Sequence, residues 1–226
     1  MNLVVSAQEG TYVEVRDIET WSSVGLQLKL NKKWEFGLRE QMQLKSNSTM
    51  IDSYFTNIDV KYVGLKRWEL GGGFRFLREN DTKGTIQGFE NHTRYHLDLS
   101  YKHTLNRMDF VYRLRYQNKN ELGVGEEEGD FANRHLRLKA GVGYNFKDWK
   151  LDPKFSTEIY RHYEHGEENG FDKIRFTIGT DYKIKKAGEI ELFYRIEKDL
   201  GISYPKTTHI FGLSYRYTFK ITTNED

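Results

Sequence analysis

Charged side chains recur at every second position in segment after segment of this chain, the spacing at which one face of a β-strand gathers them. Arg94, His96 and Asp98 form one such set, Arg113 and Arg115 a second, and His135, Arg137 and Lys139 a third. Arg75, Arg175, Arg195 and Arg216 keep the same parity in their own segments. The nine residues Arg75, Arg94, Arg113, Arg115, Arg137, Lys139, Arg175, Arg195 and Arg216 are therefore the candidate site, a cationic lining for a closed sheet. Guanidinium groups grip carboxylates and phosphates with two parallel hydrogen bonds, so a path lined this way suits small anionic solutes. Acids share the same faces, among them Asp59, Glu69, Asp98, Glu158, Glu191 and Glu197. Arg–Glu and Lys–Asp ladders that fill a narrow interior are the competing reading.

Other chemistries find less support. His96 with Ser100, and Glu158 with His162, share faces of single segments. Positions i and i+4 on a strand lie roughly 13 Å apart at the usual rise, while a nucleophile and its base must touch. An enzyme is not expected, and an outer-membrane hydrolase is only a minor alternative. The chain has no Cys, so disulfides and thiolate metal sites are excluded. The acidic stretch Gly123–Asp130 could bridge a divalent ion to lipopolysaccharide, but it lacks the spacing of a calcium loop and reads more simply as solvated. Gly71-Gly72-Gly73 sits inside a strand pattern with no helix behind it, so it marks a bend or a close backbone approach rather than a phosphate loop. No cofactor is implied, and a net charge of +2 with no basic motif gives no expectation of nucleic acid.

The elements that carry these faces alternate with period two. Tyr54–Tyr62 is typical, with Phe55 the single break. Eleven segments stand out: Trp21–Leu30, Trp34–Lys45, Ser53–Leu65, Trp68–Arg78, Arg94–His103, Met108–Gln117, His135–Phe146, Trp149–Tyr163, Lys173–Ile184, Ile190–Lys198 and Thr208–Phe219. Their connections alternate short and long. The longer ones are 46–52, 79–93, 118–134, 164–172 and 199–207, as in a barrel with tight turns on one side of a membrane and loops on the other. An even strand count keeps both termini on one side, so the weak alternation Thr11–Arg16 is taken as a further strand. The expectation is an all-β, single antiparallel up-and-down transmembrane barrel of about twelve strands, with ten as the fallback. Tyr54, Ile58, Val60, Tyr62, Leu97, Leu99, Leu136, Leu138, Phe176, Ile178, Phe211 and Leu213 should then face outward.

The bulk properties agree. The 226 residues suit one β-barrel domain. Mean hydropathy of −0.77 excludes spanning helices, yet a barrel needs only its outer face to be apolar. Aromatic residues make up 15% of the chain, in keeping with girdles at two interfaces. Residues 1–7 read as a signal-peptide remnant ending in Val5-Ser6-Ala7, residues 8–219 as the barrel, and residues 220–226 as a polar periplasmic tail. Phe211, Leu213, Tyr215, Tyr217 and Phe219 alternate along a terminal strand of the kind that outer-membrane assembly recognises.

A family resemblance rests on Trp21, Trp34–Gln41, Asp52–Thr56, Tyr112–Gln117, Trp149–Pro153 and Tyr194–Lys198. This pattern, over about Asp17 to Phe219, is similar to an uncharacterised outer-membrane β-barrel family of Bacteroidota, the domain-of-unknown-function 2490 type. Size and basic interior more distantly resemble the small oligosaccharide-specific porins. The family resemblance implies a barrel in a bacterial outer membrane and supplies no activity. The expected function is a small porin-like channel with a cationic lumen, its termini periplasmic, in contact with lipid and lipopolysaccharide. The alternative is a non-conducting scaffold that binds a protein partner. An open bore or closed Arg–Glu networks in the lumen would distinguish them.

Overall fold

The computed structural model describes residues 15–82, 87–128, 131–147, 149–166 and 169–221. Eleven strands run in chain order: β1 Val15–Leu30, β2 Trp34–Lys45, β3 Met50–Tyr62, β4 Trp68–Asp81, β5 Gly88–Leu105, β6 Met108–Glu121, β7 Asn133–Tyr144, β8 Asp152–Tyr163, β9 Gly170–Ile184, β10 Gly188–Asp199 and β11 Lys206–Ile221. Each pairs antiparallel with its neighbours in sequence, and a parallel pair of β1 with β11 closes the barrel.

The expected twelve strands, with ten as the fallback, are corrected to eleven. The full length of β1 is in register with β11, from Val15↔Lys206 to Leu30↔Ile221, while its other edge pairs with β2. No free edge remains for another strand. Val15 and Arg16 open β1, and the rest of the proposed extra strand, Thr11–Glu14, lies outside the described residues. The idea that both termini share a side rested on an even count. With eleven strands Val15 and Ile221 stand at opposite rims, because first and last strands run the same way. Residues 1–7, and the tail beyond Ile221, are outside the described residues; Lys220 and Ile221 belong to β11.

At one rim lie the connections 31–33, 63–67, 106–107, 145–151 and 185–187, and at the other 46–49, 82–87, 122–132, 164–169 and 200–205. The first is the rim of shorter turns, but the alternation is not strict. Residues 46–49 make a four-residue turn in place of the expected loop, with Ser46, Asn47 and Ser48 all at positive φ. Asp17 accepts the Ser46 and Asn47 amides at 3.2 and 2.9 Å, which holds this left-handed run. Trp149 precedes β8 rather than opening it. Pro153, which has no ladder donor, is accommodated as the second residue of that strand.

The barrel is inverted relative to a soluble protein. Phe55, Leu77, Tyr160 and Ile210 are the buried hydrophobic residues among those described. The outer wall exposes Ile58, Leu97, Leu138, Ile178, Phe211 and Leu213, each more than half accessible. Of the twelve residues expected to face outward, ten are exposed, and Tyr62 and Leu136 are half-buried. Trp34 packs on Tyr62 at 4.9 Å and Trp68 on Tyr101 at 5.0 Å near the short-turn rim, while Tyr54 meets Phe89 at 5.9 Å and Tyr194 meets Phe211 at 5.2 Å nearer the other. Phe55, the break in alternation, faces inward beneath the Arg75 guanidinium, 3.5 Å from its ring centre.

Candidate functional site

Strand pairing turns the inward parity into rungs across the wall. On the rung Arg113↔Lys139↔Glu158↔Arg175↔Glu197, two carboxylates serve several guanidinium groups. Glu158, 4% exposed, is the hub. Arg113 Nη2 donates to its Oε1 at 2.7 Å, Arg137 to both oxygens at 3.2 and 2.9 Å, and Arg175 Nη1 to Oε2 at 3.4 Å. The Tyr160 hydroxyl adds a fourth donor at 3.2 Å, and its ring lies under the Arg137 and Arg175 guanidinium groups at 4.3 and 5.0 Å. Glu197 takes the other edge of Arg175, and Lys173 at 3.5 Å. Arg195 donates to Thr177 Oγ1 at 3.0 Å and lies over the Trp21 ring at 4.9 Å. A buried carboxylate with this many charge-assisted donors resists disruption.

This network and its neighbours close the half of the lumen toward the longer loops. Asn57, Arg75, His92, Gln117, Arg137, Glu197 and Thr208 are all buried there, with Phe55, Leu77, Tyr160 and Ile210 filling the gaps. The other half is open. A cavity of about 380 Å³, lined by Gln27, Glu35, Arg39, Asp59, Lys61, Asp98, Lys102, Arg113, Arg115, Lys139 and Arg216 among others, runs toward the short-turn rim. Its upper wall is paired: Lys102 with Glu69 at 2.7 Å, Lys29 with Glu35 at 2.8 Å, Arg216 with Glu189 at 2.5 Å, and Lys154 with Asp181. Among the described residues the interior is packed on the longer-loop side and hollow on the other, a polar cup.

Of the nine predicted residues, Arg113, Arg137 and Arg175 converge on Glu158, while Arg115 grips Asp98 with two bonds of 2.6 Å. Lys139 and Arg216 line the cup, Arg195 stacks on Trp21, and Arg75 and Arg94 face each other below the floor. Arg75, Arg94, Arg137, Arg175 and Arg195 do not line the cup. Parity alone put Arg39 and Glu158 inside but singled out neither, because their roles depend on which strands are neighbours and in what register. The Gly run had left a trace: a Cβ on Gly73 would lie 2.4 Å from His96 Cε1 and 2.6 Å from Asp59 Oδ1. The bare backbone lets His96 lie across β4 and meet Asp59 at 3.4 Å.

The suggested catalytic pairs separate. His96 turns to Asp59 rather than Ser100, and His162 meets Glu164 at 3.0 Å while Glu158 is held by arginines. Among the described residues no group of three or more His, Cys, Asp or Glu could hold a metal ion. The model of a family described as "Protein of unknown function (DUF2490)" matches residues 18–199. No curated protein and no solved structure matches the chain.

Proposed function

The chain belongs to the DUF2490 family, whose description assigns no activity, and on that footing we propose that it is a non-conducting outer-membrane β-barrel that holds a small polar ligand or partner group in a one-ended cup. What supports the membrane is the inversion of polarity, an outer wall of exposed Leu, Ile, Phe, Tyr and Trp around a charged interior. An apolar surface larger than a few hundred Å² is abnormal for a soluble monomer. Tyr54 and Tyr62 lie eight positions apart on β3, roughly 27 Å along the strand at the usual rise, which suits aromatic anchors at the two interfaces of a bilayer. With the shorter turns on the periplasmic side, the cup opens to the periplasm and the packed half faces outward. Lipid and lipopolysaccharide then surround the wall.

The observation that carries non-conduction is the Glu158 hub and the buried layer around it. A passing ion would have to separate several charge-assisted contacts between buried side chains. The chain in planar bilayers should give no steady current. Replacing Tyr160, Arg137 and Arg175 together by serine should open a measurable conductance. Steady anion-selective current through the unaltered barrel would overturn this reading in favour of a channel. One observation favours that channel as the second reading: the closing layer is made of side chains, which rearrange without unfolding the wall.

A further inference from the structure

One rung of the inner wall carries cations and no acid of its own, and Asp59, one rung away and bonded to Asn57 Nδ2 at 2.6 Å, is a counter-charge to Arg39 and Arg75. Register places Arg39 opposite Asn57, Asn57 opposite Arg75, Arg75 opposite Arg94, and Arg94 opposite Lys119. Lys119 is neutralised by Glu79 on another rung, and Arg75 rests on Asn57 Oδ1 at 3.2 Å and on the Phe55 ring. Among the described residues the ion pairs of the interior leave out Arg39, Lys61, Arg75, Arg94, Lys139 and Arg195. Arg94 Nε and Arg113 Nε are buried and have no hydrogen-bond partner. Arg39, by contrast, is exposed and lines the cup. Like charges directly opposite one another destabilise a strand pair, so Arg75 facing Arg94 weakens the empty barrel unless counter-charge arrives.

We propose that the floor of the cup is a binding site for a small multivalent oxyanion of the phosphate or phosphomonoester class. Arg39 and the part of Arg113 that lines the cup would contact it, and Arg94 and Arg75 would supply charge from the layer below. The cations reach the floor from β2, β4, β5 and β6, hence from several directions. That arrangement matches a tetrahedral group with three or four oxygens better than a planar carboxylate, which one guanidinium fork satisfies, as Arg115 does for Asp98. The cavity of about 380 Å³ exceeds a bare phosphate, so the remainder of a small phosphorylated solute fits above it, against walls where Lys102 and Arg216 already have their acids.

This assignment deepens the cup reading and rests on it, but its test needs no membrane. The purified barrel in detergent is titrated with inorganic phosphate and with glycerol phosphate, against chloride at matched ionic strength, reading heat of binding and unfolding temperature. Both phosphates should bind and raise the unfolding temperature where chloride does not. Arg39→Gln should weaken binding about tenfold or more, the loss expected for one charge-assisted contact. Lys32→Gln, in the β1–β2 turn, should leave binding unchanged. Arg94→Gln separates a site from a structural role: it should raise the unfolding temperature of the ligand-free barrel at low salt and abolish the phosphate response. Equal effects of phosphate and chloride, or an Arg94→Gln barrel that is less stable and still responds fully, overturn the site. Conductance plays no part in these measurements, so a barrel found to conduct would refute the closed-cup reading without deciding this one.

Discussion

Glu158 carries more of the interior than any other carboxylate, because Arg113, Arg137 and Arg175 all take their counter-charge from it. Glu158→Gln keeps the shape and removes the charge, leaving Arg113 and Arg137 without a carboxylate. Breaking a buried pair from one side costs about 3–5 kcal/mol, so this variant should unfold at a clearly lower temperature in detergent. Glu189→Gln makes the control. Its partner Arg216 has a side chain 52% exposed, and an exposed pair is worth about 0–1 kcal/mol. Equal losses in the two variants would mean that the network does not hold the interior together. Gly73→Ala tests the close approach of His96. The added carbon would also meet Ile58 O at 2.8 Å, a backbone atom that cannot swing away. The expected cost is about 1–3 kcal/mol, the range for overpacking, read from the same thermal unfolding.

The element on which the count of strands turns is the seam. Ser23 and Ser214 are register partners across β1 and β11, with hydroxyl oxygens 2.8 Å apart. The chain has no cysteine, so a Ser23→Cys/Ser214→Cys pair would be its only thiols. Mild oxidation should cross-link them within one chain, while the shifted pair Gln27→Cys/Ser214→Cys should not react. An even barrel with an antiparallel closure would not give that pattern. Beside the seam, the Phe193 ring lies flat over Gly212, where a Cβ would sit 1.9 Å from it, so a glycine on β11 makes room for an aromatic on β10. On the outer wall, Ile178 is 55% exposed in the middle of β9. Ile178→Arg should cost about 2–4 kcal/mol if that face meets lipid, visible as a loss of folded, heat-modifiable protein in membranes. No loss would mean that this face meets water.

For the whole molecule, the question is which way the cup points. Single cysteines at Asn106, in the shortest turn, and at Glu127, in the longest connection, mark the two rims. On intact cells a membrane-impermeant maleimide should label Glu127→Cys and should reach Asn106→Cys only after the outer membrane is opened. The reverse result would turn the cup toward the outside. Shaving by protease should agree, with cutting inside Gly123–Asp130, a stretch of small and acidic residues. On the proposed reading, the packed layer on the longer-loop side and the cup on the other would make the molecule a receptacle for what is found on one side only, in contrast to a passage between two sides.

Period-two alternation by itself determined that the strands carry one apolar and one charged face, because side-chain direction in a strand follows from position alone, while closure and the apolar outside came with the barrel. That reasoning located all eleven segments, and ten of the twelve residues it expected to face outward are exposed. It stopped the strands too soon at Arg78 and Gln117, where both faces turn polar: ladder hydrogen bonds continue to Asp81 and Glu121 without any change in hydropathy to mark them. It added a strand from a parity rule, and only the pairing of β1 with β11 corrected that. The cationic parity was equally legible, but an open path and a closed ladder use the same residues. What separates them is the register that brings Glu158 within reach of three arginines and leaves Arg39 and Arg94 with none of its charge. Register is a relation between strands distant in sequence, so it is decided only when the barrel closes.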